Sequence, residues 1–390
     1  MRRLLPILLV PALVVLGCAE DGSDSDESSD STATSTSTTG PTPPAIDAVT
    51  AESDLPAETQ DQLEHAVVAA MNDEGIPGAF VGVFLPDGSW EAVAGTADLA
   101  SGDPVGPGMS WPVRSLTKSM VVTLLLQQVD AGTVTLDDTV DQYLDDVPNG
   151  DTITLRMLAD MSAGLPNYTA TDAFLEAFVA DPERDYTIED LNELAFTEEV
   201  EFEPGTEHTY SNTNTNVLGQ VLEVSGGAPL GEQLQAEVFG PLSMAGTTYL
   251  PPDLPEPHAV GYQPTPDGYV EPPNNFSAMG PSGAVVSTTD DLRIWAEALG
   301  TGSLISPELH TERLVGEPLV EGPVYDAYGM GIGSRFGYWG HTGQGLGFTA
   351  LAMHDPDTGA SIVIVANASE TETQPMDALF AAVAPIIDER

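Results

Sequence analysis

GAFVGVFLPDGSWEAVAG, residues 78–95, reads as a β-hairpin: the apolar run GAFVGVFL and the segment WEAVAG flank turn chemistry at Pro86-Asp87-Gly88-Ser89. The same pattern returns near the other end of the chain. There FTALAMH (348–354), a turn at Asp355–Gly359 and SIVIVANA (361–368) form a second hairpin. Each hairpin lies beside a helical pattern. Residues 57–74 carry Leu63, Val67, Ala70 and Met71 at helical spacing with Gly75 as the stop, and residues 376–387 read as a helix despite Pro385. Strands and helices at both ends imply one antiparallel sheet assembled from both ends of the chain, with helices packed on it.

Between the hairpins the signal is mostly helical. Ser115 to Ala131 contains the run VVTLLLQQV, with Gly132 as the expected stop, and a helix that apolar must be buried nearly all round. Thr187–Asp190 and Ser287–Asp290 each read as a capping box that starts a helix. The fold class expected is α/β: an antiparallel sheet flanked by helices, from residues 50–110 and 256–390, plus a mostly helical insertion over 111–255. The cleft falls between the two parts. A chain of 390 residues with 41% hydrophobic content is long enough to bury such a core.

The charge is extreme: sixty-one acidic residues against ten Lys and Arg give −51. That excludes a basic nucleic-acid groove, which needs clustered cations on phosphates. Carboxylates spread along the whole chain point to a strongly hydrated surface suited to high salt, where a Debye length of roughly 3 Å screens self-repulsion. The first eighteen residues, MRRLLPILLVPALVVLGC, pair an Arg-Arg start with an apolar run too short for a comfortable membrane span. They end in Val15-Leu16-Gly17-Cys18, which resembles a bacterial lipobox with Cys18 as the lipidated residue. Residues 19–49, acidic and then Ser/Thr/Pro-rich, read as a disordered tether, so the expected protein is exported and membrane-anchored through Cys18, facing the outside or the periplasm. The folded part has no cysteine, and the six histidines fall in no metal-ligand pattern; no metal, nucleotide or flavin cofactor is expected.

Lys118, in WPVRSLTKSM (111–120), is the only lysine in the chain. With Ser115 in the first turn of its helix, Lys118 lies one turn on and on the same face. A desolvated lysine there can act as general base and turn Ser115 into a nucleophile, a role arginine cannot take. Ser-x-x-Lys alone also arises by chance in unrelated chains. Tyr210 and Asn212, in EHTYSNTNTN, are two apart in an expected extended segment and so point to one side. The bland alternative is a buried tyrosine and a turn asparagine. GHTGQG, residues 340–345, packs glycines densely into an apparent strand, as if something approaches its backbone closely. A substrate held along that edge would find the Gln344 N–H placed for an oxyanion hole.

In the order SLTK, YSN, HTG these motifs resemble the serine β-lactamases and D-alanyl-D-alanine peptidases, particularly the class C-like branch with its esterase relatives. The resemblance runs over most of residues 55–388, through LDDTVDQYLDDVP, FEPGTEHTYSN, SGAVVSTTDDLRIW and YGMGIG. It implies Ser115 as the acylated nucleophile, Lys118 as its activating partner and Tyr210 as a proton shuttle. It implies substrate contacts from Asn212, His341, Thr342, Gly343 and Gln344, and an oxyanion hole from the N–H groups of Ser115 and Gln344. The activity implied is a serine hydrolase, with D-alanyl-D-alanine carboxypeptidase or β-lactamase first, esterase or D-peptide amidase as the alternative, and a penicillin-binding sensor without turnover as a different class. The substrate would be a peptide, a β-lactam or an ester. Two departures stand out. His341 occupies a position where many lactamases carry lysine, with Arg335 the nearest candidate to replace that charge. Asp160–Leu165 replaces the usual His-Thr-Ser-Gly-Leu stretch.

Overall fold

The computed structural model describes residues 40–371 and 373–390. Cys18, the signal-like segment 1–18 and tether residues 19–39 lie outside the described residues. Tether residues 40–49 do not behave as a tether: Ile46 is buried, its backbone N–H and C=O are both held by the Asn72 side chain, and the Pro41 carbonyl accepts from the Tyr269 N–H. No helix among the described residues is long and apolar enough to cross a membrane.

The strands are β1 (Thr50–Ser53), β2 (Gly78–Leu85), β3 (Gly88–Asp98), β4 (Asp103–Pro104), β5 (Ser110–Pro112), β6 (Thr248–Tyr249), β7 (Gln263–Thr265), β8 (Gly268–Val270), β9 (Val285–Thr288), β10 (Ala327–Tyr328), β11 (Gly333–Arg335), β12 (Tyr338–Gly345), β13 (Phe348–His354) and β14 (Ser361–Ala366). The main sheet has the order β1-β3-β2-β14-β13-β12-β11-β10, with β4 paired to β3. The two hairpins recognised in the sequence meet at its centre, where β14 pairs antiparallel with β2. Strand alternation divides their side chains between two cores. Val81, Val83, Leu351, Ile362 and Ile364 face one side. Phe80, Phe84, Ala350, Ala352, Val363 and Val365 face the other.

Helices α1 (Ala57–Glu74), α2 (Thr117–Asp130), α3 (Leu155–Ala159), α4 (Asp172–Ala180), α5 (Ile188–Ala195), α6 (Asn212–Gly226), α7 (Leu230–Gln233), α8 (Thr289–Thr301), α9 (Pro307–Arg313) and α10 (Pro375–Asp388) complete the chain. Leu63, Val67 and Met71 of α1 and Leu379, Phe380 and Val383 of α10 cover the first face. On the second face, Leu292, Trp295, Ala296 and Leu299 of α8 join the buried side chains of α2 and α6 in one core. The result is the α/β architecture the sequence implied, with α2 buried on nearly every side.

Two local expectations shift. The capping box at Thr187 and Asp190 forms as read. The cap of α8 is Thr288, one residue later than expected, because the Ser287 hydroxyl is taken by Thr247 while Asp291 supplies the capped N–H. Helix α6 begins at Asn212 itself, so Tyr210 and Asn212 do not share an extended segment.

Candidate active site

Ser115 sits in a 3-10 turn, Arg114–Leu116, that runs into α2. Arg114 before it has φ 51, in the left-handed region, where a side chain costs about 1–2 kcal/mol. Lys118 follows one turn on. Its Nζ lies 3.1 Å from Ser115 Oγ, 2.7 Å from Asn212 Oδ1 and 2.7 Å from the Ser282 carbonyl oxygen. The amide and carbonyl oxygens can only accept, so a neutral amine gives them its two protons and turns its lone pair to the Ser115 hydroxyl.

The protonation of Lys118 follows from its surroundings. The side chain is fully buried, and burial holds its pKa well below the ordinary lysine value. The Tyr210 ring, 5.0 Å from Nζ, favours the ammonium. A cation–π contact is worth about 0.5–2 kcal/mol, against a desolvation penalty of several kcal/mol per buried ion. Desolvation wins, and the neutral amine is the favoured form.

Tyr210 precedes α6 and is held by its backbone N–H on the Glu321 carbonyl. Its hydroxyl is buried with no partner in strict hydrogen-bond geometry. Burial, then the neighbouring Tyr325, push its pKa well above the ordinary phenol value, and the nearby Ser115 side chain offsets this slightly. The phenol therefore keeps its proton at neutral pH. Asn212, the first residue of α6, accepts from Lys118 and donates Nδ2–H to Thr169 Oγ1, while its backbone N–H donates to Asn167 Oδ1. One turn on, Asn216 Oδ1 accepts from the Ser282 N–H and so fixes the carbonyl that Lys118 uses.

The third motif lies on β12. At Gly343 a methyl group would fall 2.0 Å from the Val113 carbonyl oxygen and 3.0 Å from the Ser115 nitrogen. The close approach read from the glycines is thus made by the Ser115 turn itself. Gly345 and Phe348 close a two-residue hairpin loop, so ladder alternation turns the Gln344 N–H away from β13, to the outer edge of β12, next to the Gly343 position on which the Ser115 turn packs. Thr342 uses the same edge, but Tyr325 covers it: the Tyr325 hydroxyl accepts from the Thr342 N–H at 2.9 Å and lies 2.7 Å from its Oγ1.

His341 is fully buried. Its Nδ1 lies 2.6 Å from the Thr342 carbonyl, an acceptor only, so Nδ1 carries the proton and Nε2 accepts from the Tyr328 hydroxyl at 3.0 Å. Burial, then Lys118 in its protonated form, lower its pKa to about 3. His341 is a neutral wall of the site. Arg335 does not replace the missing charge: its guanidinium is paired with Asp377 on α10, across the sheet from the cleft.

Sequence reasoning missed Arg114, Ser282, Asn216, Tyr325 and Tyr328. Only Arg114 carried a signal, as one of nine arginines and the neighbour of Ser115. A cavity of roughly 390 Å³ opens beside Asn167, with Asp172, Glu198, Glu199 and Glu201 in its wall.

Residues 63–385 match the family model described as Beta-lactamase. A D-aminopeptidase of Cereibacter sphaeroides is 28% identical over 337 residues, 83% of this chain, and the match spans only 63% of that relative's length. The D-alanyl-D-alanine-carboxypeptidase/endopeptidase AmpH of Escherichia coli K12 is 30% identical over 219 residues, 54% of each chain. The structure of a D-stereospecific amidohydrolase from Streptomyces sp. superposes with a TM-score of 0.73 at 28% identity, covering 84% of this chain and 97% of that one.

Proposed function

The chain belongs to the beta-lactamase family of serine hydrolases, and from that premise we propose that it hydrolyses amides or esters of D-amino acids whose leaving group carries no carboxylate. The observation that carries this reading is the buried, neutral His341 in the place where a lysine would meet a substrate carboxylate. Arg335 is engaged elsewhere and Thr342 is covered by Tyr325. An anionic leaving group would meet no cation from the third motif. Preference for D-configured acyl groups is taken from the relatives, a D-aminopeptidase and a D-stereospecific amidohydrolase.

The chemistry follows from the site. Neutral Lys118 takes the Ser115 proton as Oγ bonds to the substrate carbonyl carbon, and the carbonyl π pair moves to oxygen. The N–H groups of Ser115 and Gln344 receive that oxyanion. Its collapse breaks the bond to the amine or alcohol, which leaves with the Tyr210 proton, and the Lys118 ammonium restores the phenol. Water then adds to the ester while Lys118 takes a proton from it. Collapse releases the acid and returns that proton to Ser115 Oγ.

The test is a matched pair in molar salt: D-alanyl-D-alanine and its C-terminal amide, with D-alanine p-nitroanilide as reference. The amide is expected to exceed the free acid in kcat/KM by at least about tenfold, which is only 1.4 kcal/mol of discrimination. A free acid hydrolysed as fast or faster overturns the substrate assignment. Turnover that survives Ser115→Ala overturns the nucleophile.

A further inference from the structure

Arg114 immediately precedes Ser115, and Gly345 immediately follows Gln344. Arg114 Nε donates to the Gly345 carbonyl at 2.9 Å, and Nη2 donates to the Leu346 carbonyl at 3.2 Å and to Asn274 Oδ1 at 2.8 Å. The guanidinium is buried between Phe348 and Phe276, 5.5 and 6.0 Å from their ring centres. No carboxylate pairs with it among the described residues, and Nη1 has no partner. Burial lowers its pKa to about 9, so the charge persists at neutral pH.

As a stabilising device this arrangement is poor. It combines a left-handed backbone, a buried cation met by dipoles and two aromatic rings but by no carboxylate, and an orphaned donor. An apolar side chain between the two phenylalanines would pack as well without them. What the guanidinium supplies is a tie between two layers. Ser115 lies on a helical turn and Gln344 on a sheet edge, and beside the packing at Gly343 the guanidinium adds directional hydrogen bonds between the two layers. The hairpin turn that Arg114 grips has positive φ at both loop residues, as two-residue hairpins favour, but Leu346 at φ 45 stands where Asn, Asp or Gly is usual, between Gly345 at φ 143 and Gly347 at φ 82.

We propose that Arg114 is a positioning residue that clamps the β12–β13 turn to the Ser115 turn and thereby fixes the distance between the Ser115 and Gln344 N–H groups. The proposal rests on the oxyanion-hole reading above. A misplacement of about 1 Å in such a site can cost on the order of 100-fold in rate.

The test compares wild type, Arg114→Met and Arg114→Lys. The readouts are kcat and KM on D-alanine p-nitroanilide, the inhibition constant of the boronic acid analogue of D-alanine, and thermal melting. Boronate adds to the serine and mimics the tetrahedral intermediate, so it reports the oxyanion hole directly. Arg114→Met is expected to lose about 10–100-fold in kcat with KM nearly unchanged, and to weaken boronate binding by a matching factor. Added methylguanidinium should restore part of both. Arg114→Lys keeps the charge but reaches one carbonyl, and is expected to fall between the two. Wild-type kcat in Arg114→Lys or in folded Arg114→Met overturns the clamp, as does a rate loss with unchanged boronate affinity. If Arg114→Met does not fold, Arg114→Lys decides by the same readouts. Wild type that neither turns over nor binds boronate through Ser115 would instead sink the active-site reading on which the clamp depends.

Discussion

Lys118 Nζ lies 2.7 Å from the carbonyl oxygen of Ser282, a group that can accept but never donate. With Asn212 Oδ1 at the same distance, it leaves the amine one free direction, and Ser115 stands there. The chain keeps its single lysine fully buried, where desolvation disfavours the ammonium. Lys118→Met, close in length and uncharged, should fold yet acylate slower by about 10²–10⁴-fold, the usual worth of a general base. Lys118→Arg should be as impaired, since guanidinium does not deprotonate. Intact mass after timed exposure to a fluorophosphonate reads the rate, and wild-type labelling in either variant refutes the assignment.

The same burial sets a pH profile. Lys118 is lowered by desolvation, so its reactive neutral form accumulates as pH rises through a midpoint well below the ordinary lysine value. Tyr210 is raised by desolvation and should show no phenolate limb near its ordinary value. The kcat/KM profile for D-alanine p-nitroanilide should therefore climb and then stay flat through the range where a free lysine titrates. A rise that begins only near pH 10 would place the base elsewhere.

Gly343→Ala inserts a methyl 2.0 Å from the Val113 carbonyl and 3.0 Å from the Ser115 nitrogen. Backbone on both sides leaves no flexible neighbour to yield, so the Ser115 turn must move relative to β12. The expected result is a kcat loss on the order of 100-fold or more with the sheet intact, measured by steady-state kinetics beside far-UV circular dichroism. Unimpaired kcat would mean that the two elements are not rigidly spaced.

Local chemistry made the frame legible in the sequence. The hairpins at 78–95 and 348–368 paired at the centre of the sheet because turn residues and apolar runs suffice to specify them. Ser115 and Lys118 were readable because their relation is one helical turn. The cover on the third motif was not, since Tyr325 and Tyr328 reach His341 and Thr342 from a loop and the two-residue strand β10 that follows it, whose path no local pattern fixes. Tyr210 and Asn212 reach one site for a reason other than the one inferred: a helix start, rather than strand alternation, aims the amide. The charge state of His341 was equally hidden, because it depends on burial and not on residue type.

Arg335 tests whether a cation in the third-motif region matters to substrate. Its pair with Asp377 is mostly shielded, with 14% and 15% of the two side chains exposed. Arg335→Met should leave kcat and KM unchanged while lowering stability, since Asp377, already raised by desolvation, loses the neighbour that opposes the shift. A loss of about 1–3 kcal/mol is expected from urea unfolding in molar salt, discounted for the residual exposure. A change in KM for the carboxylate-bearing dipeptide alone would return Arg335 to the cleft.

His341 should make the fold acid-sensitive. Its folded pKa is about 3, lowered chiefly by burial, against an ordinary value of 6.5. Between those values the unfolded chain binds the extra proton, so stability is full above pH 6.5 and is lost as pH falls toward 3, by up to about 5 kcal/mol. Carboxylate protonation works the other way over part of that window, because it relieves the repulsion of a −51 chain. Buried His354 and half-buried His310, also lowered by desolvation, add to the loss. Only a difference isolates His341. His341→Asn keeps a donor for the Thr342 carbonyl but strands the Tyr328 hydroxyl, which should cost about 1–3 kcal/mol at neutral pH. Its stability should then fall less steeply than wild type between pH 6.5 and 4, so the two urea midpoints converge on acidification. Parallel curves would show that His341 can be protonated in the folded protein, and the neutral wall on which the substrate assignment rests would be gone.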